Sequence, residues 1–317
     1  MASVLNEPYF QDEAAAFARL EAIVWPEGPV CPHCGNKDRI GVLKNQRTKP
    51  SKKNPEGIER HGLKKCYACR KQFTVRIGAV FEDSPVPLHV WFQAAYLMCS
   101  SKKGVSSNQL HRTLGVSLQT AWFMSHRLRE AMRSGALAFP FGSDGGAVEI
   151  DETFIGRKKD MPKRRGFAHK HAVLSLVDRN TKQVRSFHVG GTSAKDLMPI
   201  IKENVAKEAA IMTDEAGQYE RIGDHFASHE RVNHSQEAYV RGDARTNTAE
   251  GYYSIFKRGM KGVYQHCSEK HLHRYVAEFD FRYNNRVRLG CDDLERTNRG
   301  LGGVVGRRLT YRDSAWA

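Results

Sequence analysis

The chain has 317 residues, too many for one ordinary small core, so two or three structural units are expected. Lys plus Arg number 50 against 35 Asp plus Glu, a formal charge of +15 that suits a polyanionic partner. Forty per cent apolar residues, with four Trp, exclude wholesale disorder.

Residues 1–28 carry Phe10, Ala14, Phe17, Leu20 and Ile23 near helical spacing, ahead of Trp25-Pro26-Glu27-Gly28. This predicts a short amphipathic helix stopped by Pro and Gly. Acids stand where a signal peptide has a basic start and an unbroken apolar run, so export is not expected and the seven cysteines should be reduced. Within residues 29–82, Cys31 to Arg76 holds 13 Lys or Arg against three Asp or Glu, too polar to fold on apolar burial alone. Cys31-Pro-His-Cys34 and Cys66-Tyr-Ala-Cys69 supply what is missing. Four thiolates in two two-residue-spaced pairs close a tetrahedral Zn²⁺ shell, and Gly35 gives the first knuckle its backbone freedom. The basic, loop-like stretch from Lys44 to His61 accounts for the long interval between the pairs. A redox pair would need a βαβ context that is absent. Cys99, Cys267 and Cys291 lack paired spacing and read as buried or idle thiols.

Residues 83–141 are patterned as helices, broken at Lys102-Lys103-Gly104 and at Gly115. The longest apolar run, Val86 to Cys99, is interrupted by His89 and Gln93 and falls short of the roughly 18 residues of a membrane span, so no membrane is expected. Leu110 and Leu114 give one helix an apolar stripe, Gly115 permits a tight turn, and Ser117 caps a second helix stapled by Ala121, Met124 and Leu128. The pattern is that of a helix-turn-helix. Gln119, Thr120, Phe123, His126 and Arg127 then face outward from a recognition helix, with Gln119, Thr120 and Arg127 as the expected DNA contacts. A plain helical hairpin fits the same pattern, and His111 stands where such motifs carry a small residue.

After a Gly/Asp-rich joint at Gly142 to Gly146, strand-like runs over 147–155, 171–177, 183–189 and 209–213 alternate with a helix near 194–205. Residues 147–290 therefore read as an α/β domain with a mixed sheet. Asp151 and Asp214 are placed at the ends of apolar strands, where two carboxylates can bridge divalent ions if a third ligand joins them. An Asp there also serves as a turn or cap residue. The third candidate is Glu250, which shares a predicted helix face with Asn247, Ser254, Lys257 and Lys261, opposite Tyr252, Ile255, Phe256 and Gly259. Asn247-x-x-Glu250 equally fits a capping box. Arg157-Lys158-Lys159 and Lys163-Arg-Arg165 follow the Asp151 strand as a basic loop able to grip a phosphate backbone. Residues 291–317 read as a loose tail, and Gly300 to Gly306 lacks the strand–turn–helix context of a nucleotide loop.

Thirty-five residues separate Asp214 from Glu250, an interval met in many DNA transposases and integrases of the RNase H-like class. The zinc pairs, the helical module, Glu149-Ile-Asp151-Glu-Thr-Phe-Ile-Gly156, Thr213-Asp214 and Arg241-Gly-Asp-Ala-Arg-Thr-Asn247-Thr-Ala-Glu250 through Lys257-Arg258-Gly resemble the ISXO-like, Merlin-related insertion-sequence transposases over nearly the whole chain. The resemblance implies an α/β, RNase H-like catalytic domain preceded by a zinc ribbon and a helix-turn-helix-like module. It makes Asp151, Asp214 and Glu250 the acids for Mg²⁺ or Mn²⁺, with Asn247 a rival to Glu250, beside a structural Zn²⁺. Double-stranded DNA, as transposon ends and target, becomes the partner, gripped by Arg157, Lys158, Lys257, Arg258 and Lys261. A homodimer or larger synaptic complex is implied, in a bacterial cytoplasm and on the nucleoid when DNA-bound. The segment from Glu269 to Arg286 is also family-like; its apolar spacing indicates core packing, with Arg282 and Arg286 as further phosphate contacts. The competing reading is a zinc-containing DNA-binding regulator, a domesticated element whose acids are structural.

Overall fold

A computed structural model describes residues 3–52, 54–133, 135, 139–159, 161–163, 165–232 and 247–310; of Val232 and Asn247 only the backbone is described. The chain divides into two compact units, one of residues 1–101, 105–132 and 291–317, the other of 102–104 and 133–290.

In the first unit, helix α1 (Glu13–Val24) starts at Asp12, whose Oδ1 accepts the Ala15 N–H at 2.7 Å. Its apolar stripe buries Ala16, Phe17 and Leu20. The ribbon is a three-stranded antiparallel sheet of β1 (Ile40–Val42), β2 (Lys64–Cys66) and β3 (Gln72–Phe73), in that order. Helix α2 (Leu88–Ser100) buries Leu88, Trp91, Phe92, Ala95 and Met98. Helices α3 (Ser107–Leu114) and α4 (Leu118–Ala131) follow, each opened by a serine whose hydroxyl accepts a backbone N–H: Ser106 from Gln109 at 3.2 Å, Ser117 from Thr120 at 3.1 Å. Between them Gly115 takes φ +66°, the left-handed conformation the turn requires. His111 has a structural task there, its Nδ1 meeting the Val116 carbonyl at 2.5 Å.

Two expectations for this unit are corrected. Arg127 and His126 are buried. The Arg127 guanidinium donates to the carbonyls of Val80 and Glu82, both at 2.8 Å, and of Leu309 at 3.0 Å, so it ties the chain together and is not presented to DNA. Gln119 is exposed and Thr120 half-buried. The supposed loose tail contains helix α8 (Asp293–Gly302), capped by Asp292 and burying Arg296, Thr297, Gly300 and Leu301. Arg296 donates to the carbonyls of Cys99 at 2.9 Å and Cys291 at 3.2 Å, which docks α8 beside α2.

The second unit is built on five strands. Strands β4 (Ala147–Ile155), β5 (His171–Asp178) and β6 (Gln183–Val189) form an antiparallel meander; after helix α5 (Ala194–Asn204), β7 (Ala210–Asp214) and β8 (Ser228–Val232) add parallel to β4. The order is β6-β5-β4-β7-β8, a mixed α/β sheet of the RNase H-like kind. Ile150, Leu174, Leu176 and Ile211 pack against Leu197 and Ile201 of α5. Val173, Val177 and Val184 pack on the other face against α6 (Asn247–Gly259) and α7 (Glu269–Asn284), through Ala249, Tyr252, Phe256, Leu272, Val276 and Phe279. Covering both faces explains why β5 is buried along its whole length and is apolar between its ends except at Ser175. Arg282 is corrected as a phosphate contact: it is buried, paired with Glu278 one turn back and set 4.6 Å from the Phe279 ring centroid. Arg286 lies over the Tyr283 ring and donates to the Tyr283 carbonyl at 2.6 Å.

Candidate active site and zinc centre

Cys31, Cys34, Cys66 and Cys69 bring their Sγ atoms within 4.8 Å of one another, with Cys31–Cys69 and Cys34–Cys66 both at 3.7 Å. Tetrahedral Zn²⁺ with Zn–S bonds of about 2.3 Å needs S···S edges of about 3.8 Å, which the two 3.7 Å edges match, so the four thiols fit a zinc site. Backbone N–H groups of Cys69, and less strongly of Ala68, lower the Cys66 thiol, whereas Cys34, against the pull of the Asn36 backbone, is raised by desolvation and the neighbouring thiols, so the four thiols crowd one another as ligands of one cation would. The long interval between the pairs is spanned by a basic excursion that leaves the β1–β2 ladder intact, Ile40 opposite Cys66.

The acids come from three elements of the second unit. Asp151 is the fifth residue of β4, a mid-strand position where a strand end was expected. The parallel ladder between β4 and β7 runs only as far as Glu149 opposite Met212. Carried two residues further, that register sets Asp151 opposite Asp214, the last residue of β7, where the two strands have ceased to pair. Asp214 is locked by its own turn, Oδ1 accepting the Ala216 N–H at 3.1 Å. Glu250 is exposed in the first turn of α6.

The placement of α6 depends on Glu149, which sequence reasoning missed. This carboxylate is fully buried; its Oε2 accepts the backbone N–H groups of Thr248 at 3.1 Å and Ala249 at 3.0 Å, while its Oε1 takes Arg179 Nε at 2.7 Å. Glu149 thus caps the N-terminus of a helix 100 residues away, where the helix dipole favours an anion. Alternation along β4 puts Glu149 and Asp151 on the same face. Tyr253 adds a second tie, its hydroxyl donating to the Asp151 carbonyl at 2.5 Å. Docked in this way, α6 brings Glu250 and Lys257 into electrostatic reach of Asp151.

Burial first, and then the charges of Asp214 and Glu250, push the Asp151 carboxyl up to about 6 against the pull of the Glu152 N–H and Lys257. Burial also raises Glu152 to about 7, despite the polar side chains of Tyr219 and Gln218 beside it. Glu152 was passed over in the sequence; its Oε1 accepts from Gln218 Nε2 at 3.2 Å, joining β4 to the turn that follows Asp214. The signal for both missed residues was the density of acids in Glu149-Ile-Asp151-Glu, an otherwise apolar strand. The three acids do not close a single-ion shell as tight as that of the cysteines. Their chemistry, hard oxygen donors crowded until they repel, fits divalent cations of the Mg²⁺ type.

Of the expected phosphate contacts, Lys257 is within electrostatic reach of Asp151 and 5.9 Å from the Tyr253 ring centroid; Arg258 is exposed and bonded to Ser254. Lys261 is exposed beyond Gly259, where α6 widens into a π turn. Arg157 is exposed with Nε on the Met161 carbonyl, and Lys158 Nζ lies 3.5 Å from the Gly190 carbonyl. The Asn247 side chain and the segment from Arg241 to Thr246 lie outside the described residues.

Comparison with known proteins gives this arrangement a class. Residues 144–284 match the ISXO2-like transposase domain and residues 11–72 the transposase zinc-ribbon domain, so the protein is a transposase carrying an N-terminal zinc ribbon. More particularly, the chain belongs to the ISXO2-like transposases. A protein described as uncharacterised in transposable element ISH50 of Halobacterium salinarum is 26% identical over 295 residues, covering 86% of this chain and 91% of that one. Among solved structures, the simian T-cell lymphotropic virus intasome in complex with PP2A regulatory subunit B56 gamma is similar at a TM-score of 0.29 and 13% identity, over 60% of this chain and 65% of that one. No helix among the described residues is long and apolar enough to cross a membrane.

Proposed function

We propose that this transposase cuts the ends of its insertion sequence and joins the freed 3′-OH to target DNA, using Asp151, Asp214 and Glu250 to hold two Mg²⁺ or Mn²⁺ ions. The observation that carries this reading is the β4–β7 register that sets Asp151 opposite Asp214, together with the Glu149 cap on the first turn of α6, the turn that bears Glu250. Ions held by Asp151, Asp214 and Glu250 would supply Lewis acidity for phosphoryl transfer, which needs no covalent enzyme intermediate.

The protein's own part is positional. Glu149 fixes the start of α6, Tyr253 fixes the β4 backbone at Asp151, and Glu152 holds the turn after Asp214. Lys257 puts positive charge within electrostatic reach of Asp151, where it could attract a scissile phosphate. Gln119 and Thr120 at the start of α4, the loop bearing Arg157 and Lys158, and Arg258 and Lys261 extend the grip along DNA. Synapsis of two ends calls for a dimer or larger assembly during reaction.

The test is a cut-and-join assay on DNA carrying the inverted repeats that flank the gene, with Mg²⁺ or Mn²⁺. The parent should nick at the repeat end and produce joined products, while Asp151→Asn and Asp214→Asn should do neither and still bind the DNA. An Asp151→Asn protein that cuts would refute the assignment. A parent that binds the ends and never cuts would leave the non-catalytic regulator standing.

A further inference from the structure

We propose that His171, His188 and Glu269 form a second transition-metal site, in the catalytic unit, that binds Zn²⁺ through two imidazole nitrogens and one carboxylate oxygen. His171 opens β5, and His188 stands on the neighbouring β6 opposite Val173, two residues further along β5. Alternation therefore puts both imidazoles on the sheet face covered by α7, whose first residue is Glu269.

The donor atoms of the three residues converge on one point, as ligands of a metal ion do. His171 Nδ1 lies 3.8 Å and His188 Nε2 3.7 Å from Glu269 Oε1, and the donor atoms of all three residues fall within 4.8 Å of one another. These separations are too long for hydrogen bonds. Zinc with bonds of about 2.1 Å has ligand–ligand edges of about 3.4 Å, a few tenths of an ångström shorter than the two His–Glu separations. Both nitrogens are buried and have no hydrogen-bond partner, and the His171 side chain is only 5% exposed. Leaving a buried polar atom unpaired costs about 1–3 kcal/mol. Two such atoms converging on one carboxylate, with their rings crossed at 73°, are accounted for together by a cation among them.

The donor set selects the metal. Imidazole nitrogens favour zinc and its neighbours over Mg²⁺, and two His with one Glu leave one tetrahedral position for water or for His273, one turn along α7. Lys158, the nearby cation, is directed at the Gly190 carbonyl. The cluster is separate from the catalytic acids: His171 pairs with Ile155, four residues along β4 from Asp151, roughly 13 Å at strand spacing. Its effect would be to pin the start of α7 to the β5–β6 pair.

The experiment counts metal in the full chain, loaded with Zn²⁺, dialysed into Mg²⁺ buffer and measured by atomic emission. The parent should hold two zinc ions per chain, and His188→Gln and Glu269→Gln should each hold one. The half-exposed Glu269 provides a variant with little folding cost. Asp151→Asn should stay at two. Loaded with Co²⁺, both cluster variants should keep the thiolate charge-transfer absorption of the ribbon and lose the additional d–d bands. One zinc per chain in the parent would overturn the proposal. So would a second zinc that survives both cluster variants or that vanishes in Asp151→Asn.

Discussion

Asp151→Asn should make the cation-free protein more stable while abolishing its chemistry. The Asp151 carboxyl moves from 3.8 to about 6, and each pK unit corresponds to about 1.4 kcal/mol, so ionising it in the folded, cation-free protein costs up to about 3 kcal/mol. A folded pKa above the unfolded one means the folded state binds the proton more tightly; that stabilisation is present below about pH 4 and lost as pH rises through about 6. Asparagine keeps an oxygen for the Glu152 N–H, which Asp151 Oδ1 accepts at 2.7 Å, and removes the charge that burial, Asp214 and Glu250 oppose. In chelator at pH 7 the variant should melt above the parent by up to about 10 °C for a unit of this size. At pH 4.5, where the folded carboxyl is mostly protonated but the unfolded one is still largely ionised, the gap should shrink to about a third of its pH 7 value. Adding Mg²⁺ should raise the parent's melting temperature and leave the variant's unchanged. Scanning calorimetry at the two pH values, with and without Mg²⁺, reads all three effects. A variant less stable than the parent in chelator, or one that keeps the Mg²⁺ shift, would refute the reasoning.

Other perturbations follow from the same contacts. Glu149→Ala strips the acceptor from the Thr248 and Ala249 N–H groups; it should lower stability by about 1–3 kcal/mol in chemical denaturation and reduce cleavage more than DNA affinity, with Glu149→Gln recovering part of both. Arg127→Ala leaves three carbonyls without their donor and should cost about 3 kcal/mol or more, whereas Gln119→Ala should weaken end binding in a mobility shift with no change in melting. Cys66→Ser, or a strong chelator, should release zinc and expose residues 29–82 to protease while the β4–β8 sheet persists. DNA affinity should fall steeply between 50 and about 200 mM salt, as counterion release requires; a flat response would exclude extensive phosphate contact.

The sheet was legible because both its faces are covered: apolar runs bounded by turn residues marked 147–155 and 183–189 to the residue. The ribbon was legible because metal ligation fixes residue type and spacing together. What escaped depends on partners distant in the chain. Helical period turns Arg127 outward, but the stretch to Leu309 and the Val80–Glu82 carbonyls close over it, and a guanidinium can satisfy three acceptors at once. The glycines from Gly300 to Gly306 hid α8, whose stability comes from the Asp292 cap and the burial of Arg296, Thr297 and Leu301. Glu149 looked like one acid among several, because its role exists only once α6 has folded back onto β4. Asp151 and Asp214 were recognisable as strand-borne acids; their opposition across the opened β4–β7 ladder required the register.

The most direct measurement of the central claim is anomalous diffraction at the manganese edge from crystals of the full chain soaked in Mn²⁺. The account predicts density between Asp151 and Asp214, with the start of α6 supplying the next ligand and the map deciding between Glu250 and Asn247. Manganese absent from that position at saturating concentration, or bound only elsewhere, would contradict it.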